Sequence, residues 1–349
     1  MNLVDKDQSF TRQLISAMFE YQTLKIVNIS NKKVGVFNRF LQLAILIYLF
    51  GYVIFHQKGY QQFSQFNSAT TSKIKGVIST LNLNDSSFLP EVPLTQIYKR
   101  VWDVPDIVIP PSEADAFFLT TNLVLTSQSQ QICPEDPSVP NIKCNSTEDC
   151  EKGHINLVGN GVQTGECVLA GPPFANISVC QIQGWCPFEV DRGPLANRKP
   201  LFAGVVNFTV LLKNYVEFPL FGIKLYSPVQ DPHCPVFRIG DILEGARVDF
   251  EDISPRGGVI QIVIEWNCDF DYDTKHCFPT YKFLRIDDPE AVLARGWNFR
   301  YINKYGNGNR TLHKAYGITF RVTTQARAGK FYLVNLAMKI GSGLGLLAL

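Results

Sequence analysis

The sequence predicts a membrane protein in which two transmembrane helices flank a large β-rich, disulfide-stabilised extracellular domain. Three observations point there: an apolar run near each end, nine cysteines confined to Cys133–Cys277, and a long middle region of short β-branched runs punctuated by Gly and Pro. The chain has 349 residues, of which 46% are hydrophobic and 18% charged, apolar for a soluble protein but too polar for a many-span transporter. A net charge of +2 predicts no surface coated for a nucleic-acid polymer, so any anion site must come from local clustering.

Residues 1–33 precede the first span, residues 34–55 form it, and residues 331–349 form the second. About 20 apolar residues cross a bilayer, and the first run reaches that length if Arg39 extends its charge to the interface. A cleaved leader fits poorly, because His56-Gln57-Lys58 stands where small residues should. Lys25, Lys32, Lys33 and Arg39 crowd the N-terminal flank, which places the N-terminus in the cytosol and the cysteines outside the cell. The second run carries Gly341, Gly343 and Gly345, small residues suited to close helix packing in the lipid bilayer, and is expected to be an incomplete span.

Between the spans, residues 56–330 form one extracellular region, with strands expected at Val205–Leu212, Val259–Trp266 and Gly317–Thr323. Sequons at Asn84, Asn145, Asn176 and Asn309 fit a glycosylated surface, whereas Asn207 is expected inside an apolar strand and unmodified. Cys133, Cys144, Cys150, Cys167, Cys180 and Cys186 define a cysteine-rich subdomain over 133–186. Disulfides are favoured over zinc there, because no Cys-x-x-Cys pair is present, although six cysteines leave the connectivity open. Cys268 and Cys277 can close a small loop, which leaves Cys234 over.

No nucleophile elbow, phosphate-cradling glycine loop or zinc-protease motif is present, and no enzyme is expected. Asp269, Asp271 and Asp273 begin like a calcium loop, but Thr274 and Thr280 occupy the positions that need Gly and Glu, so no metal site is expected. Cations are more telling. Lys73 and Lys75 alternate, so on a strand both ammoniums leave one face. A hairpin centred on Asn307 sets Arg300 directly across from Lys314, and like charges so placed are tolerable when solvated or when an anion lies between them. A triphosphate suits such pairs, since lysines act as point charges and a guanidinium forks onto phosphate oxygens.

Several stretches together resemble the ATP-gated purinergic (P2X) receptors. They include Tyr21-Gln22-Thr23-Leu24-Lys25, Lys58-Gly59-Tyr60-Gln61, Lys73-Ile74-Lys75-Gly76, Gly184-Trp185-Cys186-Pro187 and Asn207-Phe208-Thr209-Val210-Leu211-Leu212-Lys213. Cys234-Pro235-Val236-Phe237-Arg238, Asn298-Phe299-Arg300 and Ala328-Gly329-Lys330-Phe331 continue the likeness along nearly the whole chain. The resemblance implies a trimer of identical or homologous subunits in the plasma membrane, opened by ATP as agonist, with no cofactor, to pass Na⁺, K⁺ and Ca²⁺. It implies ATP between subunits, with Lys73, Lys75, Thr209 and Val236 on one side and Asn298, Arg300 and Lys314 on the other. It further implies disulfides Cys133–Cys186, Cys144–Cys167, Cys150–Cys180 and Cys268–Cys277, pore positions Met338 and Ser342, and a cytosolic regulatory motif at Thr23 and Lys25.

The sequence departs from that pattern in lacking a partner for Cys234, in a shortened stretch over 221–233, and in Arg321 and Lys339. Two alternatives to a conducting subunit follow: a non-conducting subunit that co-assembles with relatives, and an ectonucleotidase, for which no carboxylate cluster is evident.

Overall fold

A computed structural model of the chain describes residues 31–82, 98–110, 113–172, 174–189, 200–228, 234–291, 296–304 and 307–347. Thr23, Lys25 and the sequon at Asn84 lie outside the described residues. Two compact units are present, one formed by 1–62 with 331–349 and the other by 63–330.

In the first unit, a helix over Lys32–Ile47 continues as a wider π-helical segment over Tyr48–His56. Asn31 caps it, its side-chain oxygen accepting from the backbone N–H of Lys33 at 3.0 Å. An 18-residue stretch of these 25 has mean hydropathy 1.6, enough to cross a bilayer, and the helix is slightly longer than the expected 34–55. Arg39 donates to Gln42 one turn on at 2.7 Å, so the strongest polar groups of the run satisfy each other. The C-terminal helix, Leu333–Leu347, is 15 residues long, short of the roughly 20 that a span needs. Its buried or half-buried apolar positions, Leu336, Ile340, Gly343 and Leu347, recur at helical spacing. A Cβ on Gly343 would strike Leu49, so this face packs on the N-terminal helix. Met338 and Ser342 are exposed on the other side of the helix.

The second unit is built on two large sheets, with a third, two-stranded one apart from them. Strands β1 (Gln61–Ser64), β2 (Asn67–Lys75), β3 (Val77–Ser79), β4 (Val101–Asp103) and β5 (Ala116–Pro134) come first in the chain. β6 (Gly161–Leu169), β7 (Ser178–Cys186), β8 (Thr209–Phe218), β9 (Ile223–Tyr226) and β10 (Val236–Arg238) follow. β11 (Gly258–Asp269), β12 (Pro279–Arg285), β13 (Asn298–Lys304) and β14 (Asn309–Phe331) complete them.

The larger sheet has the order β12-β11-β14-β5-β7-β6. Its centre is β14, whose 23 residues span about 76 Å at the rise of a strand. One edge of β14 is shared: β13 pairs antiparallel with its first part through Tyr316, and β11 pairs parallel from Ile318 onward. The switch falls at Gly317, where the ladder to β5 shifts register and where a Cβ would strike the Leu119 carbonyl, so only glycine fits. The smaller sheet places β10 and β9 on one side of β8 and β2 on the other, all antiparallel. The two-stranded sheet pairs β3 with β4.

The sheets share an apolar core of alternating residues such as Val210, Leu212, Val216, Ile260, Ile262, Ile264 and Phe320, all buried. Two expectations are corrected. Val205–Leu212 is not one strand, because Ala203–Asn207 forms a 3₁₀ turn and β8 begins at Thr209. Asn207 is consequently exposed at the end of that turn rather than inside an apolar strand.

The cysteine-rich subdomain holds a small core of its own around Val139, Ile142, Ala170 and Val179. Disulfides join Cys133 to Cys186, Cys144 to Cys167 and Cys150 to Cys180, and a fourth joins Cys268 to Cys277. Cys234 is a free, half-buried thiol. The sulfurs of Cys144, Cys150 and Cys167 lie within 4.8 Å of one another, but each is spent in a disulfide. Asn145, Asn176 and Asn309 are exposed.

Candidate functional site

Strand alternation builds the first half of the site. In the β2–β8 ladder Lys73 lies opposite Leu211, Lys75 opposite Thr209 and Thr71 opposite Lys213. Residues directly opposite share a face, so Lys73, Lys75, Thr209 and Lys213 all leave the same side. β10 extends it, pairing Val236 with Leu211 and Arg238 with Thr209. The three lysines, Thr209 and Val236 are exposed, while the alternate residues Val210 and Leu212 are buried beneath them. Arg238 is held aside by Asp241 one turn away at 2.8 Å. Lys213 stands in the family-like stretch that begins at Asn207 but was given no site role from sequence. Its spacing of four from Thr209 was the available signal, since that keeps both on one face of a strand.

The second half lies on the larger sheet. Asn307 adopts a positive φ of 64°, the conformation that closes the hairpin between β13 and β14. Arg300 stands directly across from Lys314, and Asn298 across from Tyr316. Arg300 and Asn298 are exposed, whereas the Lys314 side chain is only 6% exposed. That buried ammonium lies 5.2 Å from the centre of the Tyr316 ring.

Between the like charges sits Glu189. Its two oxygens accept from Arg300 Nε and Nη2 at 2.9 Å each, and the ammonium of Lys314 lies 2.8 Å from Oε1. Burial works to raise the Glu189 carboxyl, but the hydrogen bonds and charges of Arg300 and Lys314 outweigh it and hold the group below its ordinary value. Glu189 also escaped the sequence reading, because its position depends on contacts far apart in the chain. β7 ends at Cys186, bonded to Cys133 on β5, and Gln128 of β5 donates to the Pro187 carbonyl at 2.8 Å. β5 in turn pairs Val124 with Lys314.

Arg310 reinforces that corner, stacking 4.2 Å from the Trp185 ring and donating to Gln128 at 2.7 Å. Beside the cations, the His313 ring lies tilted against Tyr301 with centroids 4.6 Å apart. Burial, with the nearby charge of Arg100, pushes its pKa down to about 4, so it stays neutral at physiological pH.

One cation set therefore lies on each sheet, and the arrangement suits an elongated polyanion. The sequence model for the ATP P2X receptor matches residues 19–349. The chain belongs to the P2X receptor family. Mouse P2X purinoceptor 4 is 37% identical over 95% of this chain and 87% of its own length. Human P2X purinoceptor 5 is also 37% identical, over 97% of the chain and 78% of that protein. Among solved structures, the Gulf Coast tick P2X receptor crystallised with ATP and Zn²⁺ is 52% identical with a TM-score of 0.83, covering 89% of this chain and 96% of that one. The chicken P2X7 receptor with the competitive antagonist TNP-ATP is 32% identical with a TM-score of 0.72, covering 89% of this chain and 94% of that one. As a P2X receptor, the protein is a plasma-membrane channel subunit with two spans and a large extracellular domain, and it works as a trimer with like or related subunits.

Proposed function

We propose that this P2X subunit binds ATP between its two cation faces, one from each of two neighbouring subunits, and opens a cation pore in response. Lys73, Lys75 and Lys213 meet the phosphates from one subunit while Thr209 and Val236 adjoin the base. Asn298, Arg300 and Lys314 meet the phosphates from the other. ATP acts as an agonist rather than a cofactor, and no bond of it is broken.

The observation that carries this reading is the Arg300–Glu189–Lys314 triad. Two like charges paired across a ladder are costly, and here one carboxylate bridges them. A carboxylate clasped by a guanidinium fork and an ammonium has the geometry of a bound phosphate. Glu189 thus serves as an internal stand-in that phosphate oxygens displace. Displacement ties occupancy to a rearrangement of that corner, and ATP opens the channel because the open arrangement binds it more tightly. In the C-terminal helix, Met338 and Ser342 lie away from the face packed on the N-terminal helix, which suits a lining role for permeant cations.

The test is to record ATP-evoked current from receptors counted at the cell surface. Lys73→Ala and Lys213→Met should each raise the ATP concentration for half-activation at least tenfold. Unchanged potency in both would remove the β2–β8 face from the site. Normal surface counts and nucleotide binding without current would indicate a subunit that assembles but does not conduct.

A further inference from the structure

The outer side of the smaller sheet bears the cations, while its inner side carries a buried amide whose bonds cross to the larger sheet. Asn214 follows Lys213 on β8, so the two side chains leave opposite faces of the strand. Asn214 is 0% exposed. Its Nδ2 donates to Thr70 Oγ1 and to Thr324 Oγ1, both at 2.9 Å, and lies 3.4 Å from the Ala69 carbonyl. Its Oδ1 accepts from the Trp266 indole at 2.7 Å. An indole nitrogen only donates, so the amide orientation is fixed by chemistry. The backbone is committed as well: the N–H of Asn214 donates to Ser227 Oγ and its carbonyl accepts from the Ser227 N–H, both at 2.9 Å.

The partners fall in three strands. Thr70 is the residue opposite Asn214 on β2, Trp266 is on β11 and Thr324 is on β14. One side chain therefore ties both strands of the lysine-bearing pair to both strands of the parallel pair in the other sheet. Around it the layers meet through apolar side chains such as Leu212, Val216 and Ile264. Those contacts are non-directional and tolerate sliding, whereas a saturated buried amide does not move without orphaning donors.

We propose that Asn214 is the coupling joint of the receptor, a positioning residue that passes movement of the ATP-bearing β2–β8 pair into β14. This rests on the reading of Lys73, Lys75, Thr209 and Lys213 as the nucleotide face. The place of Thr324 along β14 gives the joint its leverage. It lies ten residues, about 33 Å, after Lys314 and seven residues, about 23 Å, before Phe331, where the strand ends. The C-terminal helix begins two residues later, at Leu333. A displacement of β8 on nucleotide binding thus enters the same strand that carries Lys314 and leads to the pore helix.

The experiment uses single-channel recording of the full-length receptor with Thr324→Val, which keeps the shape and removes the hydroxyl. Opening rate at saturating ATP should fall at least fivefold, while the ATP dissociation constant of the closed state, fitted from dwell times, stays within twofold. Thr324→Ser should restore the opening rate, and Thr323→Val, which removes the exposed neighbouring hydroxyl that Gln261 bonds within the larger sheet, should leave it unchanged. Concatenated trimers with Thr324→Val in one subunit give the same readout if the homomeric variant does not reach the surface. A wild-type opening rate in Thr324→Val, or an equal loss in Thr324→Ser, overturns the joint. Lys73→Ala separates the two readings: if it leaves the closed-state dissociation constant unchanged, the nucleotide face is wrong; if it weakens binding while Thr324→Val gates normally, the joint alone is wrong.

Discussion

Replacing Glu189 by Gln tests the triad most directly. In the unliganded protein the carboxylate makes two hydrogen bonds with Arg300 and an ion pair with Lys314, all between 2.8 and 2.9 Å. Hydrogen bonds to charged groups contribute about 1.5–3 kcal/mol each, but the Arg300 side chain is 55% exposed and its share falls to under about 1 kcal/mol. Lys314 is the buried partner, so most of the loss belongs to it. Glutamine keeps one acceptor for Lys314 and points its amide donors at the guanidinium, leaving a net deficit of about 1–2 kcal/mol in the unliganded state. ATP no longer has a carboxylate to displace and repairs that deficit itself. Half-activation should therefore need about 5- to 30-fold less ATP. The purified variant should melt a few degrees lower without ATP and gain more from ATP than wild type does, as read by a thermal-shift assay. Glu189→Asp should fall between the two. An unchanged or raised ATP requirement at matched surface expression, with the melting temperature lowered, would refute the displacement argument.

Replacing Cys133 and Cys186 together by Ser opens a loop of sequence separation 53, which the chain-entropy relation values at about 4 kcal/mol. Since that bond also anchors the strand end before Glu189, ATP potency should change along with stability, measured by current and by thermal melting on the same preparation; a stability loss with unaltered potency would detach the disulfide from the site. Between roughly pH 6 and 8 the wild type and Glu189→Gln should show parallel pH dependence of ATP potency. The folded carboxyl lies below its ordinary 4.5, so its contribution is complete above that value and is lost only as pH falls through the lower folded one. His313 acts earlier on stability: the unfolded chain takes up its proton below about 6.5 and the folded protein only near 4. Folding should weaken by about 1–2 kcal/mol across that window after allowance for partial exposure, and His313→Phe should flatten the acid limb of the melting curve.

Local chemistry made much of this readable. Alternation put Lys73 and Lys75 on one face, and the Gly-Asn run around Asn307 gave the hairpin that opposes Arg300 to Lys314. Both depend on neighbours within a dozen or so residues. Glu189 was invisible because it reaches the cations through a disulfide and two strand pairings, none of which is local. The run Gly317–Thr323 predicts only the middle of β14; in the sheet Gly317 admits a register shift without ending the strand. The parallel pairing of β11 with β14 likewise leaves no mark within either strand.

The uninterrupted run of β14 restricts how this protein can change in length. Inserting a single residue between Gly317 and Val322 would turn every later side chain of the strand to the opposite face, carrying Val322 and Thr324 out of the interlayer core. Insertion of two would restore the faces yet lengthen the strand by about 7 Å and strip Thr324 from Asn214. Along this part of β14, residues can be exchanged in place, whereas an added residue breaks the bond that joins the two sheets.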